Sequence, residues 1–113
     1  MREQRPYYHL DKVKRLVREG RFEQTSKSMR YLWNRGLAKE TAGKIILSLE
    51  TSELIASHPP HHVANGIWWA DVYKWVGRHD GIEDILYVKF VIDENEQTLV
   101  LMSCKPWGSE NEC

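Results

Sequence analysis

Asp84-Ile85-Leu86-Tyr87-Val88-Lys89-Phe90-Val91-Ile92 alternates with a period of two, and its reading decides the fold. Successive side chains of a strand point to opposite faces. Leu86, Val88, Phe90 and Ile92 therefore share one face, and Ile85, Tyr87, Lys89 and Val91 share the other. The first set is wholly apolar and is the expected core face. Tyr87 and Lys89 then stand together on the more open face. Asp93 to Gln97 is polar enough to turn a hairpin, and Thr98 to Lys105 returns as the next strand. The loop length sets the register. A three-residue loop puts Thr98, Val100, Met102 and Cys104 in the core and Lys105 on the face of Tyr87 and Lys89. A two-residue loop reverses this, and the residues leave both registers open.

Working upstream, Ile67 to Val76 is rich in aromatic and β-branched residues and reads as a strand, followed by a turn signal from Gly77 to Gly81. His58-Pro59-Pro60-His61-His62 cannot continue a helix, because proline lacks the backbone donor and restricts the residue before it. It reads as a proline-stiffened loop. The first half is helical. Leu10, Val13, Leu16 and Val17 recur at helical spacing and Gly20 stops the run. Thr25 or Ser26 caps a second helix with Met29, Leu32 and Trp33 on its inner face and Gly36 at its end. Arg21 to Gln24, between the two, can be extended. A third helix spans about Glu40 to Leu49, with Ala42, Ile45, Ile46 and Leu49 facing inward. Thr51 or Ser52 can cap one more short turn carrying Leu54 and Ile55. Helices followed by an antiparallel meander predict one α+β domain over residues 1–113, with helices packed on one sheet face and flexible tails at 1–9 and 106–113.

Apolar residues make up 42% of the 113-residue chain, enough for a core and too many for disorder. No apolar run approaches the ~18 residues of a membrane span. Met1 to Pro6 is charged and has no apolar segment behind it, so a soluble, cytoplasmic protein is expected. Cys104 lies in a strand pattern and Cys113 is the last residue, with no metal-ligand spacing around either. The net charge of zero conceals an asymmetry. Residues 1–44 hold 12 of the 16 Lys and Arg but 5 of the 16 Asp and Glu. A basic half can steer toward nucleic acid, or the two halves can pack together and neutralise each other.

Phosphate-binding glycine loops, dinucleotide fingerprints, the H-E-x-x-H pair and the nucleophile elbow are all absent from the sequence. The suggestive group is Tyr87, Lys89 and Lys105. A phenol and two ammonium groups on one sheet face can bind a phosphate and stabilise charge developing on it. Lys12, Lys14, Arg15, Arg18 and Arg21 form a second, purely electrostatic candidate for RNA contact. Trp69 and Trp75 point to one side of their strand and Trp68 to the other, so one side can fill the core while the other stacks on an RNA base or meets a protein partner. Asp71, a lone carboxylate in an apolar strand, reads as a buried structural hydrogen-bonding group. His79 reads as an exposed loop residue.

His9-Leu10-Asp11-Lys12-Val13-Lys14-Arg15-Leu16-Val17-Arg18-Glu19-Gly20 resembles the opening helix of the MqsR-type mRNA interferase toxins. Trp69-Ala70-Asp71-Val72-Tyr73 is similar to that family's W-Q-D-V-Y segment. Leu86-Tyr87-Val88-Lys89 resembles its V-Y-L-K strand, and Leu101-Met102-Ser103-Cys104-Lys105 its closing I-V-S-F-K strand. The shared order runs from about Leu10 to Lys105. The resemblance implies a RelE-like ribonuclease fold, cleavage of mRNA without metal or other cofactor, attack by the RNA's own 2′-hydroxyl, and a bacterial antitoxin as partner. Tyr87 and Lys105 match positions that the family assigns to its site.

Two positions depart from the family pattern. Its F-Y-K-S-M stretch corresponds to Leu54-Ile55-Ala56-Ser57-His58, so Ala56 stands where the family has a lysine. Its glutamine before Asp-Val-Tyr is Ala70. His58, His61 and His62 follow the missing lysine, and imidazole is the side chain best suited to acid–base work near neutral pH, so these three are candidate replacements. A catalytically inactive binding module, acting as a small inhibitor or regulator, is the alternative function.

Overall fold

The computed structural model describes residues 6–63, 66–79, 82–93, 95 and 97–108, with 58–63, 66–69, 78, 79 and 82–84 entering through their backbone pairing. Three helices come first: α1 (Leu10–Arg18), α2 (Ser26–Trp33) and α3 (Lys39–Leu47). Strand β1 (Phe22–Gln24) lies between α1 and α2. A 3₁₀ turn (Thr51–Glu53) leads into β2 (Leu54–Val63), β3 (Gly66–His79), β4 (Ile82–Asp93) and β5 (Thr98–Pro106). The strands form one sheet in the order β1-β5-β4-β3-β2. β2 to β5 are the antiparallel meander expected of an α+β, RelE-like domain. β1 pairs parallel to β5, facing only Leu99 to Leu101. Among the described residues no helix is long and apolar enough to cross a membrane.

Local chemistry explains the helix ends. Gly20 adopts φ 77°, and its N–H donates to the Val17 carbonyl while that of Arg21 reaches back to Leu16. These two bonds satisfy carbonyls that the end of α1 would leave orphaned, and the left-handed residue between them suits glycine. Thr25 caps α2 by accepting from the Ser28 N–H at 3.2 Å. Its own N–H and hydroxyl donate to the carbonyls of Leu101 and Met102, at 3.1 Å each. These anchors fix the rotation of α2, and they correct its expected inner face. Ser28, Tyr31 and Leu32 are buried, Met29 is half-buried, and Trp33 is 70% exposed. Burial of Ser28 is tolerated because its hydroxyl donates to the Thr25 carbonyl.

The β4–β5 hairpin contains a bulge that neither register read from the sequence includes. Tyr87 faces Lys105, Val88 faces Cys104 and Lys89 faces Ser103, but Phe90 faces Leu101. Met102 is the extra residue. Before the bulge Leu99 and Leu101 enter the core, with Thr98, Val100 and Met102 half-buried; after it, Cys104 does. One inserted residue shifts the side-chain alternation by one, which lets both ends of β5 serve the core. The core cluster joins Leu10, Val13 and Leu16 of α1, Ile45 and Ile46 of α3, and Leu86, Val88, Phe90 and Ile92 of β4. All helices contributing to it therefore lie on one face of the sheet, and Tyr87, Lys89 and Lys105 belong to the other.

Two further expectations are corrected. His58 to His62 runs as strand, not loop. β2 is an edge strand, and the two prolines fall where its register shifts between His58 and His61, so no ladder donor is demanded of them. The turn expected over 77–81 is shorter, because β3 continues to His79 and pairs there with Ile82. His79, read as a loop residue, therefore belongs to β3. Within the segment before α1, the Tyr7 and Tyr8 N–H groups donate to Asp71. At the other end the Trp107 N–H donates to the Ile85 carbonyl at 2.8 Å.

Gly77 is required by a close approach. A Cβ there would stand 2.7 Å from the Trp75 ring, whose Nε1 donates to Ser48 Oγ at 2.7 Å and so cannot swing away without losing that bond. Gly77→Ala is expected to destabilise the fold by about 1–3 kcal/mol, in the range of overpacked cores. A urea titration should show a lower midpoint with an unchanged slope.

Candidate active site

Residues directly opposite in an antiparallel ladder share a face and bring their side chains together. On the face away from the helices, Lys74 of β3, Tyr87 of β4 and Lys105 of β5 form one row across three strands. The neighbouring row is Ala56, Val72, Lys89 and Ser103. Tyr87, Lys89 and Lys105, singled out in the sequence, are therefore brought together. Lys105 Nζ lies 5.4 Å from the Tyr87 ring centroid. The tilted rings of Tyr87 and Trp107 are 6.1 Å apart, and Lys74 Nζ lies 4.9 Å from the centre of the Trp107 ring.

The electrostatics distinguish Lys89 from an ordinary surface lysine. Burial first, then the charges of Lys27 and Lys105, pull its ammonium below the usual lysine value. Lys27 reaches this neighbourhood through the anchoring of Thr25. β1 covers β5 only as far as Leu101, and there the chain leaves the sheet edge and enters α2. Three ammonium groups around a half-buried patch favour a dianionic or monoanionic guest over a neutral one. A phenol beside them supplies a hydrogen-bond donor. The arrangement can hold a phosphate, offset charge that develops on its oxygens, and exchange a proton with it.

The other candidates lie elsewhere. Lys12, Lys14, Arg15 and Arg18 are on α1, across the helix layer from the open sheet face, with Arg21 just beyond it. Arg15 and Arg21 each place Nε 3.9 Å from a carboxylate oxygen of Glu19. His58 pairs through its backbone with Ala70, His61 with Trp68 and His62 with Ile67. The side chains of those three histidines, and of Trp68, Trp69 and His79, lie outside the described residues. Trp75 is buried in the core. Cys104 is no nucleophile, since burial pushes its thiol up to about 12.

Asp71 is structural, as read from the sequence. It is fully buried and accepts hydrogen bonds from the Tyr7 and Tyr8 N–H groups, at 2.9 Å each, and from the Ser57 hydroxyl. Tyr73, two residues on, stacks on Phe90 with ring centroids 5.5 Å apart, and burial followed by the charge of Asp71 pushes its phenol up. The Asp-Val-Tyr segment thus serves the architecture behind the site. Lys27, Lys74 and Trp107 were not singled out in the sequence. Lys74 becomes visible once it is paired with Tyr87, and Trp107 sits in a stretch that reads as tail. Nothing in the local pattern of α2 marks Lys27.

The sequence matches the model of the protein family described as "Motility quorum-sensing regulator, toxin of MqsA" over residues 5–105. No curated protein matches the chain.

Proposed function

Because the chain belongs to the family described as Motility quorum-sensing regulator, toxin of MqsA, we propose that it is an mRNA-cleaving toxin whose active face is Tyr87, Lys89 and Lys105, held in check by an antitoxin protein. The observation that carries this reading is the direct cross-strand pairing of Tyr87 with Lys105 beside the half-buried Lys89. The RNA 2′-hydroxyl loses its proton and attacks the adjacent phosphorus. The bond from phosphorus to the 5′-oxygen breaks, and that oxygen takes up a proton. The products are a 2′,3′-cyclic phosphate and a 5′-hydroxyl. Lys105 supplies fixed positive charge to the phosphate oxygens, and the Tyr87 hydroxyl donates to them or relays a proton. Lys89, with its lowered pKa, takes the 2′-hydroxyl proton in its neutral form. No step calls for a metal ion. The cations of α1 serve long-range attraction of RNA. His58, which pairs through its backbone with Ala70, and His61 and His62 are the candidates for assisting proton transfer.

The role of Lys89 has a pH signature. A base acts deprotonated, so kcat/KM should rise with pH and level off below 10.5, the ordinary lysine value. Lys89→Arg keeps the charge but cannot act as a base at these pH values, and should lose that rising limb. The same lowered pKa means that the ammonium opposes folding at neutral pH. That cost is present below the folded-state pKa and is relieved as pH rises toward the unfolded value. Lys89→Met should therefore melt no lower than wild type at pH 7 while cleaving RNA poorly.

Ala56 and Ala70, on the same face where the family pattern has lysine and glutamine, favour the alternative of a binding module without catalysis. Expression of the chain alone in a bacterium separates the two. Growth arrest with loss of intact mRNA is expected of the toxin, and normal growth with intact mRNA would support the module.

A further inference from the structure

We propose that Trp107 is a nucleobase-stacking residue that seats the RNA strand beside the scissile phosphate, an inference that rests on the RNA-cleaving reading of the Tyr87–Lys105 face. Trp107 lies beyond the segment that matches the family, which stops at residue 105. It is nevertheless part of the site. Its backbone N–H is bound to the Ile85 carbonyl at 2.8 Å, which fixes the turn that carries it next to β4. Its ring stands 6.1 Å from that of Tyr87, tilted by 40°. It keeps 37% of its surface exposed, so the indole is neither core packing nor a loose end.

The charge around it fits one class of guest. Lys74 Nζ is 4.9 Å from the Trp107 centroid, and Lys105 Nζ is 5.4 Å from that of Tyr87. Two aromatic rings, each with an ammonium over one face, match the alternation of base and phosphate along a single RNA strand. Single-stranded nucleic acid is commonly held in this way, by bases on aromatic faces and backbone charge on flanking cations. With the phosphate under attack at Lys89 and Lys105, the base next to it along the strand falls at Trp107. A residue in that position raises the affinity for RNA and biases the cut toward the bases that stack best.

The test uses the full chain and a short single-stranded oligoribonucleotide, made non-cleavable by 2′-O-methyl groups for binding and left native for cleavage. Trp107→Ala is expected to weaken binding at least fivefold, within the range for loss of one stacked base. It should raise KM more than it lowers kcat and flatten the base preference on one side of the cut. Trp107→Phe should restore most of the affinity, and circular dichroism should show both variants folded. Unchanged affinity and base preference in Trp107→Ala, with wild type still cutting RNA, would overturn the stacking role and leave the nuclease reading intact. Wild type that neither binds nor cuts RNA would overturn both. Loss of antitoxin binding alone, with RNA affinity unchanged, would assign Trp107 to the protein partner and overturn the inference.

Discussion

Lys105→Ala and Tyr87→Phe are each expected to lower RNA cleavage at least tenfold, about 1.4 kcal/mol of barrier, and to abolish growth arrest. The two variants remove different things. Lys105→Ala removes a cation that faces Tyr87 across the β4–β5 ladder. A charge held on a strand in a partly dried patch stabilises a phosphate oxygen more than a mobile surface lysine, because water screens it less and no reorganisation is needed in the transition state. Tyr87→Phe removes only the hydroxyl and keeps the ring beside Trp107 and the Lys105 ammonium. Neither side chain belongs to the core cluster, so melting curves should move little. Single-turnover cleavage of a defined RNA measures both effects. Wild-type rates in both variants would remove this face from catalysis.

The largest effect on stability is expected at Asp71. Asp71→Ala deletes the acceptor of three hydrogen bonds in a fully buried position and leaves the Tyr7 and Tyr8 N–H groups and the Ser57 hydroxyl without it. The loss of one buried and two part-buried hydrogen bonds to a carboxylate, together with the cavity left at a fully buried position, is expected to cost about 3 kcal/mol. For a domain of this size that corresponds to a drop in melting temperature of roughly 10–20 °C. Asp71→Asn keeps the shape and part of the acceptor capacity and should lose less. The N-terminal segment bearing Tyr7 and Tyr8 would detach, so hydrogen exchange at their amides should quicken before the rest of the fold opens. An unaltered melting curve for Asp71→Ala would contradict this account of the Asp-Val-Tyr segment.

The parts of the fold legible in the sequence were those with a strong period. The alternation of β4 placed its core face, and the helical spacing of Leu10, Val13 and Leu16 placed α1. What stayed hidden depends on tertiary contact. β1 is three residues long and exists only through its pairing with β5. The Met102 bulge breaks the alternation on which register arguments rest, so both ends of β5 look correct under different registers. Trp33 is apolar enough to suggest burial, yet the rotation of α2 is set by Thr25 bonding to β5, a contact with no trace in the helix's own pattern. The site shows the same division. Tyr87 and Lys89 share a strand face by simple parity, whereas Lys105, Lys74 and Lys27 join them only through cross-strand pairing and the anchoring of α2. Trp107 was hidden by its position near the end of the chain.

If the open face of the sheet cuts RNA by internal 2′-hydroxyl attack, the ends that cleavage leaves carry its signature. Purified wild-type protein would be incubated with a defined single-stranded RNA in EDTA and the fragments identified by mass spectrometry. The expected result is cleavage with a 2′,3′-cyclic phosphate on one fragment and a 5′-hydroxyl on the other, and none from Lys105→Ala. Uncut RNA, or fragments bearing a 5′-phosphate, would contradict it.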